Sequence, residues 1–281
     1  MVTLYDTTLR DGTQREGMSL SVEDKLRIAM RLDDLGVHYI EGGFPGSNPK
    51  DLEFFERARG LRLANATITA FGSTRRKDVA PEDDLGLQAL LSAGTSVVCI
   101  FGKAWDLHVT ETLGATLGEN LQMVADSVAY LKSQGKEVFF DAEHFFDGYT
   151  ANPDYALSVC RTAAGAGAVA VVLCDTNGGT LPHDVARIVR LVAPGVAAPL
   201  GIHAHNDAGC AVANSLVAID AGCVHVQGTA NGYGERAGNA DLLSIIPSLV
   251  LKMGRECITP DQLKLVSEVS HFVAETANIA P

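Results

Sequence analysis

The sequence predicts an α/β fold, a single (β/α)8 TIM barrel in which eight strands alternate with eight helices. Three observations predict it. Short apolar runs, rich in β-branched or aromatic residues, alternate regularly with longer amphipathic or Ala-rich segments. The runs are apolar on both faces, which is typical of parallel strands covered by helices. Because eight such runs are present in 281 residues, closure into a barrel is favoured over an open, doubly wound sheet.

The predicted elements cover the whole chain. The strands are predicted at Val2–Tyr5, Tyr39–Gly43, Ala66–Phe71, Ser96–Phe101, Glu137–Ala142, Ala170–Cys174, Leu200–Ala204 and Val224–Gly228. The first helix begins at Ser21, where the segment SVED resembles a capping box, and ends at Gly36. The next seven helices are predicted at Lys50–Ala58, Glu82–Ser92, Leu117–Gln134, Pro153–Ala164, Pro182–Val192, Cys210–Ala221 and Ala240–Met253.

Glycines are predicted to end several of these helices just before the next strand, as at Gly94, Gly135, Gly165 and Gly222. One further helix is expected from near Pro260. We therefore expect a barrel in residues 1–258 and a C-terminal helical extension in residues 259–281.

The composition argues against several classes of partner and location. A formal net charge of −12 disfavours nucleic acid or an anionic membrane surface as the partner. No apolar run is long enough to cross a bilayer, and the first residues, MVTLYDTTLRDG, lead into a strand and a polar loop rather than a signal peptide. The 6 cysteines are dispersed without a C-x-x-C pair, as expected of reduced thiols. We therefore expect a cytoplasmic protein.

Polar segments collect at one end of the predicted strands. In strand order they are DTTLRDGTQ, EGGFPGSN, GSTRR, GKAWD, EHFFDGY, DTNGG, HAHND and TANGYGERAGN. In a TIM barrel, the loops that follow the strands build the active site. The sequence therefore predicts a functional site at the carboxyl ends of the strands.

The most specific local pattern is His203-Ala204-His205 at the end of the seventh strand. Residues i and i+2 of a strand point to the same side, so both imidazoles can bind one ion. Asp11 is the natural third ligand, because its loop follows the first strand, which adjoins the eighth in a closed barrel. Asn239 could add a neutral oxygen. Such a set suits Mg²⁺, Mn²⁺ or Zn²⁺ without choosing among them. The alternative is a pair of core histidines satisfied by hydrogen bonds.

Other polar residues near this site are open to more than one interpretation. Arg10 carries a permanent charge that can stabilise an oxyanion, and it can also form an ion pair with Glu41. Glu143, at the end of the fifth strand, is a candidate general base or substrate-orienting group. Thr176 offers a hydroxyl to a substrate carboxylate or caps a helix. The Gly-rich loop 232–239 follows a strand and holds a charged pair, so it is a poor phosphate cradle.

Three segments together resemble the catalytic barrel of the isopropylmalate, homocitrate and citramalate synthases. This metal-dependent group also contains 3-hydroxy-3-methylglutaryl-CoA lyase. The segments are DTTLRDGTQ (6–14), HAHND (203–207) and GYGERAGN (232–239). The last favours the synthases, because the lyases carry a cysteine in the corresponding loop. The segments most similar to the citramalate synthases are EGGFPGSNPKD (41–51), KAWDLHVTETLGAT (103–116) and DAEHFFDGY (141–149).

The resemblance implies residue roles. The divalent cation would be bound by Asp11, His203 and His205, with Asn239 close by or ligating. A 2-keto acid would lie on the metal with Arg10 at its carbonyl oxygen and Thr176 near its carboxylate. Glu143 would orient or deprotonate the acetyl group of acetyl-CoA. Gln14 and Glu41 would support the site.

The resemblance implies an acyltransferase that converts the acyl group to alkyl on transfer. It would condense acetyl-CoA with a small 2-keto acid, pyruvate being favoured, to give citramalate in branched-chain amino-acid biosynthesis (isoleucine or leucine). The alkoxide formed in such a Claisen-type addition would be stabilised by a Lewis acid and a fixed cation.

Synthases of this family continue past the barrel into subdomains that supply further catalytic groups to the partner subunit, which implies a homodimer, and then into a regulatory domain. Since this sequence ends at Pro281, we expect no feedback control, and slow or no condensation by the barrel alone. The alternatives are a C–C lyase or aldolase resembling the HMG-CoA lyases, and a non-catalytic barrel that binds metal and keto acid.

Overall fold

The computed structural model describes residues 1–279, and its centre is a closed barrel of eight parallel strands in sequential order. The strands are β1 (Thr3–Asp6), β2 (Tyr39–Gly43), β3 (Thr67–Ser73), β4 (Val97–Lys103), β5 (Glu137–Glu143), β6 (Ala170–Asp175), β7 (Leu200–Ala204) and β8 (His225–Gly228). β1 pairs with β8 as well as with β2, which closes the sheet. The predicted α/β class and TIM barrel are confirmed.

Helices cover the outside of this barrel. They are α1 (Val22–Leu35), α2 (Pro49–Ala58), α3 (Leu85–Ser92), α4 (Asp106–Glu111), α5 (Leu117–Ser133), α6 (Phe145–Ala151), α7 (Pro153–Ala166), α8 (Pro182–Val192), α9 (Ala211–Ala221), α10 (Leu242–Leu251), α11 (Pro260–Leu263) and α12 (Val266–Ala277). None of the helices within residues 1–279 is long and apolar enough to cross a membrane.

The ends of α1 follow the prediction. The Ser21 hydroxyl accepts a hydrogen bond from the amide of Asp24, whose carboxylate accepts one from the Ser21 amide. Gly36 ends the helix in the left-handed conformation, with φ 89°. The prediction for Gly165 was wrong, because that residue lies inside α7, which ends instead at Gly167 with φ 104°.

Five strands, β1, β3, β4, β5 and β6, run one or two residues further than predicted, towards the carboxyl end of the barrel. β3, β4 and β5 continue to Ser73, Lys103 and Glu143 because each gains a backbone partner on a neighbouring strand. Ser73 pairs with Phe101, and Lys103 pairs with Glu143. The local sequence is polar or glycine-rich there, so pairing across the sheet decides the length of these strands.

Two short helices, α4 and α6, lie in segments that the prediction left as loops after the fourth and fifth strands. The helix expected from near Pro260 begins there, with Thr259 and Gln262 forming a capping box. It is not continuous, however: a tight turn at Lys264 and Leu265 separates α11 from α12. α12 packs against α1 and buries Val273. The proposed division at 258/259 stays a prediction, and residues 280–281 of that extension lie outside the described residues.

The barrel has two apolar layers. The larger one lies between the strands and the helices, and the smaller one fills the barrel interior. Within the interior, the Phe139 ring lies 4.9 Å from that of Tyr39, 5.6 Å from that of Tyr5 and 5.0 Å from that of His225. These stacked aromatic rings fill the amino-terminal part of the barrel interior.

Candidate metal centre

A cavity of about 300 Å³ opens at the carboxyl ends of the strands. Seven of the nine residues predicted for the site line it: Arg10, Asp11, Gln14, Glu143, Thr176, His203 and His205. The other two, Glu41 and Asn239, lie buried directly behind that lining. Polar segments that are far apart in the sequence therefore meet in one place because parallel strands present all their carboxyl ends to one side of the barrel.

Asp11, His203 and His205 form the one cluster in residues 1–279 with the composition and spacing of a metal site. Their ligand atoms lie within 4.8 Å of one another, and all three side chains are buried. The Nε2 atoms of the two histidines are 3.2 Å apart, and Asp11 Oδ2 is 3.5 Å from the first and 4.0 Å from the second. The expected convergence of both imidazoles is present.

The protonation of these groups suits a cation. Burial lowers the pKa of His203 and lowers that of His205 to about 3, so both imidazoles are neutral at pH 7. Burial alone would raise the pKa of Asp11, but the neighbouring Arg10 guanidinium and the histidines lower it overall. Neutral imidazoles and an ionised carboxylate are the forms that bind metal ions.

Two buried oxygens at this cluster have no hydrogen-bond partner within residues 1–279: Asp11 Oδ1 and Asn239 Oδ1. A buried acceptor without a partner is unfavourable unless something else satisfies it. The donor set is therefore chemically suited to a divalent cation, with two nitrogens and up to two types of oxygen.

The Gly-rich loop after β8 brings Asn239 to the histidines. His205 and Asn239 form an isolated antiparallel bridge, and the Asn239 Nδ2 group donates to the carbonyl oxygen of Tyr233 at 3.0 Å. A Cβ atom at Gly238 would lie 2.2 Å from the carbonyl oxygen of Gly232, so this turn excludes larger residues. The glycines serve close backbone packing rather than a phosphate cradle.

Arg236 ties this loop to its neighbours. Its guanidinium donates to both carboxylate oxygens of Asp207, at 2.8 and 3.1 Å, and to the carbonyl oxygen of Thr176, at 2.7 Å. It also contacts Glu235 at 2.5 Å, so the charged pair expected within the loop is present. The loop after β8 is thereby fastened to the ends of β6 and β7.

The predicted ion pair between Arg10 and Glu41 is present. Arg10 Nε lies 2.5 Å from Glu41 Oε1, and its Nη1 lies 3.3 Å from Asp11 Oδ2. The guanidinium carbon lies 3.8 Å from the centre of the Phe71 ring, and Tyr5 donates a hydrogen bond to the second oxygen of Glu41. The guanidinium of Arg10 is thus held by Glu41, Asp11 and Phe71, and it also lines the cavity.

Glu143 and Thr176 lie on the opposite wall of the cavity. Glu143 ends β5 and forms an ion pair with Lys103 at the end of β4. The Thr176 hydroxyl accepts a hydrogen bond from the backbone amide of His144, which precedes α6, so it braces the neighbouring loop. Its own proton stays available to a ligand in the cavity. Gln14 is exposed at the rim.

Several residues at the site were not predicted from the sequence. Phe71, Phe101 and Phe44 form an apolar wall of the cavity. Asp141 lies at its floor, where burial raises its pKa to about 7, and Gln227 connects Asp141 with His203. A signal was available for the last two, since a carboxylate in the run VFFDAE and an amide in HVQG interrupt otherwise apolar strands.

The family follows from a comparison with known proteins. A family model described as HMGL-like matches residues 1–273. The chain belongs to the HMGL-like family. The TIM barrel and the metal-suited cluster at its mouth are therefore features of an HMGL-like chain.

Curated relatives carry synthase names. The chain is 58% identical over 281 residues to an "(R)-citramalate synthase" of Geobacter sulfurreducens, covering 100% of this chain and 53% of that protein. It is 56% identical over 286 residues to an "(R)-citramalate synthase" of Synechocystis, covering 99% of this chain and 52% of that protein. The chain thus spans about half the length of the curated relatives it matches.

Among solved structures, the HMG-CoA lyase of Bacillus subtilis has a similar fold. The TM-score is 0.81 with 21% sequence identity, and the match covers 99% of this chain and 94% of that one. At this identity the likeness concerns the fold.

Proposed function

We propose that this chain is the catalytic barrel of a metal-dependent acyltransferase that condenses acetyl-CoA with pyruvate to give citramalate. The observation that carries the proposal is the buried Asp11–His203–His205 cluster with Arg10 beside it and an apolar wall opposite. The (R)-citramalate synthase relatives, at 58% and 56% identity, support this activity and its place in branched-chain amino-acid biosynthesis.

The proposed metal residues are Asp11, His203, His205 and Asn239. A divalent cation bound there would act as a Lewis acid towards the keto acid. The unpartnered oxygens of Asp11 and Asn239 support the inclusion of both residues. Mg²⁺, Mn²⁺ and Zn²⁺ all suit a mixed set of nitrogen and oxygen ligands.

Arg10 is proposed to stabilise the negative charge that develops on the keto oxygen. Glu41 and Asp11 bind its Nε and Nη1 groups, and the Phe71 ring covers one face. The guanidinium is therefore fixed in place before the substrate arrives, which lowers the cost of reorganisation during the reaction. Glu41 acts through Arg10 and does not contact the cavity.

Glu143 is proposed to take a proton from the acetyl methyl group or to orient the thioester. It faces the cavity from β5, and the ion pair with Lys103 limits its rotation. The nucleophilic carbon would then attack the keto carbon held on the opposite side. Hydrolysis of the thioester makes the condensation irreversible.

The keto acid itself is proposed to bind between Thr176 and the aromatic wall. The hydroxyl of Thr176 and the amide of Gln14 can donate to its carboxylate. The rings of Phe71 and Phe101 stack at 5.5 Å, which leaves an apolar surface suited to a small group such as the methyl of pyruvate. This favours pyruvate over branched keto acids.

A substrate panel tests the proposal. Pyruvate, 2-ketoisovalerate and 2-ketoglutarate would each be titrated calorimetrically in the presence of Mn²⁺, and thiol release from acetyl-CoA would be followed in parallel. We expect pyruvate to bind most tightly and only with metal present, and His203→Ala to abolish that binding. Pyruvate binding that persists in His203→Ala, or without metal, would refute the site.

Turnover separates the remaining interpretations. Thiol release with pyruvate supports the synthase, whereas release of acetyl-CoA from a 3-hydroxyacyl-CoA would assign a lyase instead. Metal-dependent binding with neither reaction would assign a barrel that binds without condensing. The homodimer and the cytoplasmic location are proposals drawn from the resemblance to the synthases, and sedimentation of the chain tests the former.

A further inference from the structure

A chain of hydrogen bonds links the candidate metal centre to a carboxyl group that does not belong to it. His203 Nδ1 lies 2.9 Å from Gln227 Oε1, and Gln227 Nε2 donates to Asp141 Oδ1 at 2.9 Å. All three side chains are buried, and Gln227 has no exposed surface. They come from β7, β8 and β5, so only the closed barrel brings them together.

We propose that Asp141, acting through Gln227, selects the tautomer of His203 that can bind a metal ion. This inference rests on the metal site proposed above. It makes Asp141 and Gln227 positioning residues, since neither of them is among the proposed ligands.

The donor and acceptor of each hydrogen bond follow from the chemistry of the three side chains. Asp141 Oδ1 accepts from Gln227 Nε2, and a carboxyl oxygen can accept there whether the group is ionised or carries its proton on the other oxygen. The amide oxygen must then face His203, where it accepts a proton from Nδ1. A neutral imidazole with its proton on Nδ1 has its lone pair on Nε2. Nε2 is the atom that lies 3.5 Å from Asp11 and 3.2 Å from His205 Nε2.

The other contact of Asp141 supports the same direction. The Cys99 thiol lies close to the Asp141 carboxyl, and burial raises the pKa of that thiol well above its usual range. Cys99 therefore keeps its proton and can act only as a donor towards the Asp141 Oδ atoms. This neighbour is consistent with Asp141 serving as the acceptor of the hydrogen bond from Gln227.

Removing the carboxylate of Asp141 should reverse the direction of these hydrogen bonds. In Asp141→Asn, the new amide nitrogen can donate to Gln227 Oε1, which turns the Gln227 amide so that its nitrogen faces His203. The proton of His203 would then move to Nε2 and block the lone pair that faces Asp11. Loss of such an outer partner of a metal ligand typically weakens metal binding about 10- to 100-fold.

A double variant should restore the pattern. In Asp141→Asn/Gln227→Glu, the glutamate accepts hydrogen bonds both from the asparagine amide and from His203 Nδ1. The formal charge of the protein is the same as before the two substitutions. We expect the double variant to regain most of the metal affinity. Asp33→Asn is the matched control. Asp33 is a buried carboxylate of α1, outside the cavity, that accepts hydrogen bonds from three backbone amides.

Two measurements decide the inference. Calorimetric titration with Mn²⁺ and Zn²⁺ gives the affinity, and ¹⁵N NMR of labelled histidine in the metal-free protein gives the tautomer, with His203→Ala assigning the signals. We expect Nδ1–H in the original chain, in the Asp33→Asn control and in the double variant, and Nε2–H in Asp141→Asn.

Weaker metal binding in Asp141→Asn with an unchanged tautomer would overturn the inference, because a lost negative charge would then explain the effect. A double variant that folds but fails to recover would do the same. If Asp141→Asn does not fold, Gln227→Met provides the second test: it removes the acceptor, and an unchanged Nδ1–H tautomer would contradict us. An original chain that binds neither metal would refute the metal site, while the NMR result would still test the hydrogen-bond chain.

Discussion

The backbone of Gly234 lies against the side-chain amide of Asn239: a Cβ atom at Gly234 would stand 2.1 Å from Asn239 Nδ2. That amide group also donates to the carbonyl oxygen of Tyr233. The position of the Asn239 oxygen at the metal-suited cluster therefore depends on the absence of a side chain five residues earlier.

Gly234→Ala should displace the Asn239 amide. The new methyl group would force the amide out of its hydrogen bond, and we expect metal affinity to fall about 10-fold or more, since one proposed ligand loses its support. Calorimetric titration with Mn²⁺ measures the change. Gly179→Ala is the matched control, because a Cβ there meets nothing within 4 Å. Equal affinities for the two variants would mean that Asn239 takes no part in binding.

Arg10→Lys should weaken the binding of pyruvate more than the binding of the metal ion. Lysine keeps the charge but cannot contact Glu41 and Asp11 through two separate groups while covering Phe71. A charge-assisted hydrogen bond contributes about 1.5–3 kcal/mol, so we expect pyruvate affinity to fall about 10- to 100-fold. The control is Arg75→Lys, which alters a similar fork on Asp126 outside the cavity. Unchanged pyruvate affinity in Arg10→Lys would remove Arg10 from the substrate site.

Phe101→Leu should relax the preference for pyruvate. The ring of Phe101 stacks on Phe71 and narrows the cavity, and shortening it makes room for a branched keto acid. One or two methylenes are discriminated by about 1–3 kcal/mol, so the affinity ratio of 2-ketoisovalerate to pyruvate should rise about 10-fold. Phe272→Leu on α12 should leave that ratio unchanged. A constant ratio in Phe101→Leu would place the keto acid elsewhere.

His225 should make the fold sensitive to acid. Burial lowers its pKa from 6.5 to about 3, with His38 and His203 adding in the same direction. The folded state therefore excludes a proton that the unfolded chain binds below pH 6.5. The stability that depends on neutral His225 is fully present above pH 6.5, and between pH 6.5 and about pH 3 it is lost by about 1.4 kcal/mol for each pH unit.

His225→Phe tests this dependence, because a phenyl ring can keep the stacking on Phe139 without titrating. The free energy of unfolding in urea, measured with a chelator present, should fall less between pH 7 and pH 5 in this variant, by about 2 kcal/mol. The exposed His183→Gln serves as the control. An acid dependence that His225→Phe leaves intact would assign the effect to other groups.

The elements of the fold were largely predictable because they depend on local patterns. Strand runs that are apolar on both faces identified all eight strands, and Ser21 with Asp24 marked the start of α1 through a contact between neighbours. One error falls where a distant partner decides: β4 continues to Lys103 because β5 offers it partners. Another concerns the choice between two nearby glycines: α7 ends at Gly167, with φ 104°, rather than at Gly165.

The candidate site was likewise predictable only where it depends on local patterns. The spacing of His203 and His205 alone determined that both imidazoles point to one side, and the order of the strands placed Asp11 and Asn239 near them. The partner of the His203 imidazole was not predictable. It is Gln227, which in turn contacts Asp141, and these residues are 24 and 62 positions from His203 and come together only across the closed barrel.

The sequence by itself therefore determined the eight-stranded barrel, the end at which the polar residues collect and the side chains offered to a metal ion, since periodicity and residue chemistry are local properties. Only the tertiary structure decided how Arg10 is held, which rings narrow the cavity, why the loop around Asn239 needs its glycines, and which nitrogen of His203 faces Asp11. These are contacts between distant segments, and their geometry is set when the barrel closes.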